Sequence, residues 1–201
     1  MTGKVKKAQT FTVDEYLTYE RAALERHEYR DGQVYEMQSA NERQAIITVN
    51  LMAEIGNQLK GRDCVALSPN MKVRGGITSG NSTKGFFSYA DLMVACGKRF
   101  FHDDETDVLL NPTVIIEVLS STTEAYKRGE KFRRYREGVS TLTDYLLITL
   151  TEPVLEHFTR SNDGLWMILA TVTDLAKSVP ISSIGCTLKM AEVYDRIDFS
   201  D

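Results

Sequence analysis

The sequence predicts an α/β protein built as one domain, a mixed β-sheet with helices on its faces. Three observations predict it. From Glu42 to Lys60 the residues Ala45, Val49, Met52, Ile55 and Leu59 recur at helical spacing. Two compact runs, YADLMVAC (89–96) and TVIIEVLS (113–120), are rich in branched residues and apolar at almost every position, as strands covered on both faces are. Helical and strand-like segments then alternate along the chain, the order that brings helices onto a sheet.

Taken in order, the first ten residues are polar and read as a loose tail, leaving a domain over 11–198. Thr12 and Glu15 form a capping box for a helix from Val13 to Leu24. HEYRDGQVYEM (27–37) reads as a hairpin turning at Asp31-Gly32. After the long helix, Gly61 provides a stop, and Cys64–Leu67 and Met71–Arg74 read as strands. GGITSGNSTKG (75–85) is a connection. It is no phosphate loop, because Lys84 is followed by Gly85 and lacks the Gly-Lys-Ser/Thr order that seats a lysine at a helix start. A basic helix is expected over Tyr126 to Glu137. Strands follow at 144–150, 154–160 and 165–172, and a short helix over Met190 to Ile197 closes the domain.

The totals narrow the function. The 201 residues carry 24 Lys and Arg against 28 Asp and Glu, a net charge of −4, which excludes a protein that coats nucleic acid by bulk charge but not an enzyme with a local basic face. No apolar run long enough to span a bilayer occurs, and MTGKVKKAQT has lysines with no apolar stretch behind them, so a cytoplasmic protein away from membranes is expected. Cys64, Cys96 and Cys186 are odd in number, far apart and without a CxxC pair, which reads as buried reduced thiols. The three histidines are scattered and no HExxH or GxSxG occurs, which removes zinc proteases and serine hydrolases.

The informative oddity is Glu117 inside Val114-Ile115-Ile116-Glu117-Val118-Leu119. An unpaired carboxylate there would cost several kcal/mol, so it needs a basic side chain, a hydrogen-bond network or a metal ion. If the runs 89–96 and 113–119 pair antiparallel, the chain folds about Asp104 and Asp91 falls opposite Glu117. Facing residues on adjacent strands hold their Cβ atoms about 4.5–5.5 Å apart. Two carboxylates that close need a proton or a cation between them, and an oxygen-rich pair suits Mg²⁺. On the following helix Lys127, Lys131 and Tyr135 recur at four-residue intervals on one face, which could bring Lys131 over the pair to orient water or offset phosphate charge.

Tyr89-Ala90-Asp91, then IIEVLS, then RGEKFRRYR (128–136), in that order, resembles the Uma-type endonucleases of the PD-(D/E)XK restriction-endonuclease-like superfamily. The likeness also runs through FTVDEYLTYE (11–20), RHEYRDGQVYEM (26–37), SPNMKVR (68–74), LLNPTVIIEVLSSTTEAY (109–126) and DYLLITLTEPVLEHF (144–158). The resemblance implies an α-β-β-β-α-β core holding one or two Mg²⁺ ions, with Mn²⁺ able to substitute, and DNA as substrate. It implies metal ligation by Asp91, Glu117 and the Val118 carbonyl, a catalytic lysine at Lys131, and Tyr135 beside it. Glu28 matches an acidic residue near the end of the first helix and completes the metal environment. A homodimer is the assembly such folds commonly form.

Three positions depart from the family pattern. Ala90 replaces the motif's proline, Lys127 stands where relatives carry an acidic residue, and Gln44 where they carry histidine. The resulting expectation is a Mg²⁺-dependent endonuclease. The second reading is a nuclease fold without turnover that acts as a nucleic-acid-binding or interaction module.

Overall fold

The computed structural model describes residues 9–199. Most of the tail expected at 1–10, its first eight residues, lies outside the described residues. The first helix, α1 (Val13–Ala22), starts at the capping box: the Glu15 amide donates to Thr12 Oγ1 (3.3 Å) and the Thr12 amide to Glu15 Oε2 (2.8 Å). Strands β1 (His27–Arg30) and β2 (Gln33–Glu36) pair antiparallel with Arg30 opposite Gln33. The two-residue turn between them holds Asp31 and Gly32 at φ 46° and 90°, the left-handed pair that Asp-Gly adopts in tight hairpins.

The long helix α2 (Glu42–Leu59) is capped by the Asn41 side chain and buries Ile47, Leu51, Ile55 and Leu59. Then come β3 (Cys64–Leu67), β4 (Lys72–Gly75), β5 (Phe86–Tyr89), β6 (Leu92–Cys96), the two-residue β7 (Val108–Leu109) and β8 (Val114–Leu119). One continuous helical rod follows: α3 (Glu124–Tyr126), a π-helical turn (Lys127–Lys131) and α4 (Phe132–Gly138). Strands β9 (Asp144–Thr149), β10 (Leu155–Arg160) and β11 (Trp166–Val172), a hairpin of β12 (Ser178–Ile181) and β13 (Cys186–Lys189), and α5 (Met190–Val193) complete the described chain.

The strands form two sheets and the separate hairpin, rather than the single sheet expected. The larger sheet has the order β11-β10-β9-β8-β6-β3 and is mixed, with β8 and β9 parallel. The smaller has the order β2-β1-β5-β4-β7. In chain order α2, β3, β6, β8, the α3–α4 rod and β9 trace the α-β-β-β-α-β pattern, with β4, β5 and β7 as excursions into the second sheet. This is why the apolar run 89–96 is not one strand: Tyr89 ends β5 in one sheet, Leu92 begins β6 in the other, and Ala90-Asp91 is the crossing.

The larger sheet is covered on both faces. Leu92 and Val94 of β6 and Val114, Ile116 and Val118 of β8 pack with α2 and the β12–β13 hairpin. The alternate residues Met93, Ala95, Ile115 and Leu119 pack with Phe132 and Tyr135 of α4. The expected reduced state of the cysteines is corrected in part: Cys64 and Cys96 face each other across the β3–β6 pair and are bonded, while Cys186 is free and buried. Among the described residues no helix is long and apolar enough to cross a membrane.

Candidate active site

Successive residues of a strand point to opposite faces. Val114, Ile116 and Val118 face α2, so Glu117 shares the face of Ile115 and Leu119 and looks toward the α3–α4 rod. β6 and β8 pair antiparallel with Leu92 opposite Ile116 and Met93 opposite Ile115. Continued by one residue, this register sets Asp91 at Glu117, the placement expected from folding the chain about Asp104. At the crossing between sheets Asp91 turns its carboxylate onto β8, where its Oδ2 accepts from the Val118 amide at 2.8 Å.

Glu117 is wholly buried, and two ammonium groups meet it: Lys131 Nζ is 2.7 Å from Oε1 and Lys127 Nζ is 2.9 Å from Oε2. Of the three partners that could balance this carboxylate, the fold therefore supplies basic side chains. Lys127 Nζ also lies 2.6 Å from Asp91 Oδ2 and donates to the Val118 carbonyl at 2.9 Å. The remaining oxygen of Asp91 accepts from Gln44 Nε2 at 3.0 Å, reaching in from the first turn of α2. Lys127 and Gln44, two of the three departures noted in the sequence, thus both touch Asp91.

Lys131 sits deeper. Its Nζ donates to the Tyr89 carbonyl at 2.7 Å and lies 3.2 Å from Glu28 Oε1 in addition to its contact with Glu117. The Tyr89 contact is a hydrogen bond, and the contacts with Glu28 and Glu117 are ion pairs. Lys131 is 1% exposed and is sealed from solvent.

Glu28 lies on β1, beyond the end of α1. It accepts from the Tyr126 hydroxyl (2.6 Å) and the Ser88 hydroxyl, pairs with Arg30 (2.9 Å), and among the described residues meets the cluster through Lys131. Tyr135 is buried one turn beyond Lys131, with the ammonium 5.9 Å from its ring centre. Tyr126, Ser88 and the Tyr89 carbonyl had no signal of their own in the sequence. A lone tyrosine, serine or main-chain oxygen acquires a role only when the fold brings a charge to it.

The electrostatics follow from burial and pairing. Burial pushes the Glu117 carboxyl above its ordinary range, and the two lysines only partly oppose this. For Asp91 burial is also the largest single influence and raises it, but Lys127, Lys131 and the Val118 amide together outweigh it and the net shift is downward. Both lysines would lose affinity for their proton through burial, yet the carboxylates around them hold it more tightly than usual. For Glu28 burial is again the largest single influence, opposed by Lys131, Ser88, Tyr126 and Arg30 together, which bring it down to about 2.

A folded-state value of about 2 against 4.5 for the free side chain has a measurable consequence. A depressed carboxyl adds stability above its unfolded value, and that stability is lost as pH falls through the folded one, here between pH about 4.5 and about 2. The amount is about 3 kcal/mol at full ionisation. Urea unfolding at pH 6 and pH 3 should show a larger loss in wild type than in Glu28→Gln. Equal losses would show that Glu28 is not the group responsible.

The basic residues of the rod are largely engaged within the protein. Arg128 pairs with Glu124 and Glu156, Arg133 with Glu137, and Arg134 with Glu130 and Asp31. A shallow cavity of about 330 Å³ lies at the far end of α4, lined by Lys84, Arg133 and Arg134 among others, and no residue of the Asp91–Glu117 cluster borders it.

A family model described as "Uma2: Putative restriction endonuclease" matches residues 13–191. Two proteins of the cyanobacterium Synechocystis sp. are similar over most of their length. "Uncharacterized protein slr1290" is 32% identical over 186 residues, covering 92% of each chain. "Uncharacterized protein sll1609" is 27% identical over 164 residues, covering 82% of this chain and 89% of its own. A crystal structure described as "a putative nuclease belonging to DUF820 from Anabaena variabilis" superposes with a TM-score of 0.69 at 17% identity, over 92% of this chain and 97% of that one. At that identity the match speaks for the fold.

Proposed function

Because the chain belongs to the Uma2 family, whose description reads "Putative restriction endonuclease", we propose that it hydrolyses phosphodiester bonds of DNA at the Asp91–Glu117 cluster. The observation that carries this reading is the convergence of three oxygens on one cationic point. Asp91 Oδ2, Glu117 Oε2 and the Val118 carbonyl all lie within 2.9 Å of the Lys127 ammonium, which stands in for an ion there. Two carboxylates and a main-chain carbonyl are ligands of the kind that Mg²⁺ or Mn²⁺ takes, so the donor set fits the expected metal.

Asp91, Glu117 and Val118 would hold such an ion, which supplies a Lewis acid for the phosphate and a water of lowered pKa. The chain's own residues do the rest. Lys131 keeps Glu117 aimed at the oxygen cluster and balances its charge in a buried place. Glu28, fixed by Ser88, Tyr126 and Arg30, holds Lys131 from the other side. Lys131 and Glu28 are in this sense positioning residues, and Tyr135 walls the ammonium off from the core beneath.

Supercoiled plasmid incubated with the protein should be nicked in Mg²⁺ or Mn²⁺ and untouched in EDTA. Asp91→Ala should lower the rate at least a hundredfold, the scale seen when one group stabilising transition-state charge is removed. Equal cleavage by wild type and Asp91→Ala would reject the site. The second reading, a nuclease fold that binds nucleic acid without cutting it, is favoured by one observation: the seat between the oxygens is already filled by Lys127. It predicts DNA binding in EDTA and no nicking at any metal concentration.

A further inference from the structure

We infer that Lys127 is a built-in competitor for the metal seat, so that a divalent cation can be held by Asp91, Glu117 and Val118 only when this ammonium withdraws. The inference rests on the reading of these three groups as the metal's ligands.

Each oxygen that would face the ion is committed within the protein. Asp91 Oδ2 takes Lys127 Nζ and the Val118 amide, and Asp91 Oδ1 takes Gln44 Nε2. Glu117 Oε2 takes Lys127 and Oε1 takes Lys131, while the Val118 carbonyl takes Lys127. The charges are also already balanced: three carboxylates (Asp91, Glu117, Glu28) stand against three cations (Lys127, Lys131, Arg30). A dication added to this cluster would leave it two charges in excess unless a lysine moved away. Among the described residues no three acidic, histidine or cysteine side chains group as they would to hold a metal unaided.

Of the two lysines, Lys127 is the one able to leave. Lys131 is sealed at 1% exposure with three partners, whereas the Lys127 side chain reaches 9% exposure beside an Asp91 side chain at 14%. Its departure would strand neither carboxylate. Glu117 would keep Lys131, and Asp91 would keep the Val118 amide and Gln44. A tethered ammonium competes at a high effective concentration, which divalent ions in solution must overcome.

The test is calorimetric titration of the full chain with MnCl₂ at pH 7, comparing wild type with Lys127→Ala. Lys127→Gln serves as a second variant that removes the charge while keeping side-chain bulk and hydrogen bonding, and circular dichroism checks folding of each. Neutral variants should bind Mn²⁺ at least about tenfold more tightly than wild type. Adding Glu117→Gln to Lys127→Ala should remove that gain, which locates the ion. Equal Mn²⁺ affinity in wild type and both variants, including no binding by any of them, overturns the inference. A folded Lys127→Ala protein that gains Mn²⁺ but does not cut DNA supports the inference and removes the nuclease reading, so the two stand or fall separately.

Discussion

A Lys131→Met variant should unfold in urea with a stability about 3–5 kcal/mol below wild type, the cost of removing one partner of a buried ion pair. Methionine keeps the length and bulk of the side chain, so little of the loss comes from a cavity. What it removes is the 2.7 Å contact to Glu117, the 3.2 Å contact to Glu28 and the donor to the Tyr89 carbonyl. Glu28 retains Ser88, Tyr126 and Arg30, so the penalty falls chiefly on Glu117, whose Oε1 loses its cation and which is left with Lys127 alone, with no hydroxyl or amide partner among the described residues. Adding Glu117→Gln to the same chain should therefore restore part of the stability, with a coupling above about 1 kcal/mol in the double-mutant cycle. A loss under 1 kcal/mol in the single variant would mean that the pair is not what makes Glu117 tolerable in the core. An inactive Lys131 variant must accordingly be assayed where it is still folded before its inactivity is assigned to chemistry.

Gly138→Ala should be the most damaging change outside the charged cluster. A Cβ at that position would lie 2.3 Å from the Gly76 nitrogen and 2.7 Å from the Gly75 carbonyl carbon, main-chain atoms that cannot rotate aside. The same seam is tied by the Gly76 amide donating to the Gly138 carbonyl at 2.8 Å, where the end of α4 rests on the end of β4. Forcing the two backbones apart should cost about 3 kcal/mol and lower Tm by about 6–10 °C. Gly56, in the middle of α2 with nothing within 4 Å of the Cβ position, is the control. Alanine there should stabilise by about 0.5–1 kcal/mol, because it narrows the unfolded ensemble. If both substitutions shift Tm alike, the close approach at Gly138 is not the cause.

Much of the fold and half of the site were readable from residue order. The Asp31-Gly32 hairpin, the capping box at Thr12 and the period of α2 are local signals, and each element formed within a residue or two of its expected bounds. The antiparallel register of β6 on β8 follows from folding about one loop centre, and it carried Asp91 to Glu117. The division of YADLMVAC between two sheets was not readable, because an apolar run looks the same whichever sheet its residues join. The β12–β13 hairpin was missed as well: SVPI and CTLK are short, and only one side of each strand is buried. The Cys64–Cys96 bond depends on two strands meeting with these residues opposite, which spacing along the chain does not reveal.

Alone, the sequence determined that a carboxylate lies in a core strand, that a second can face it, and that lysines follow on a helix, since these depend on near neighbours and on periodicity. Only the tertiary structure decided which lysine meets which oxygen. Lys131, expected over the carboxylate pair, is sealed beneath Glu117, and Lys127 holds the place expected for an ion. The physical reason is that pairing among these six clustered charges is settled by distances of a few tenths of an ångström, set jointly by the crossing between the two sheets and the widened turn of the helical rod.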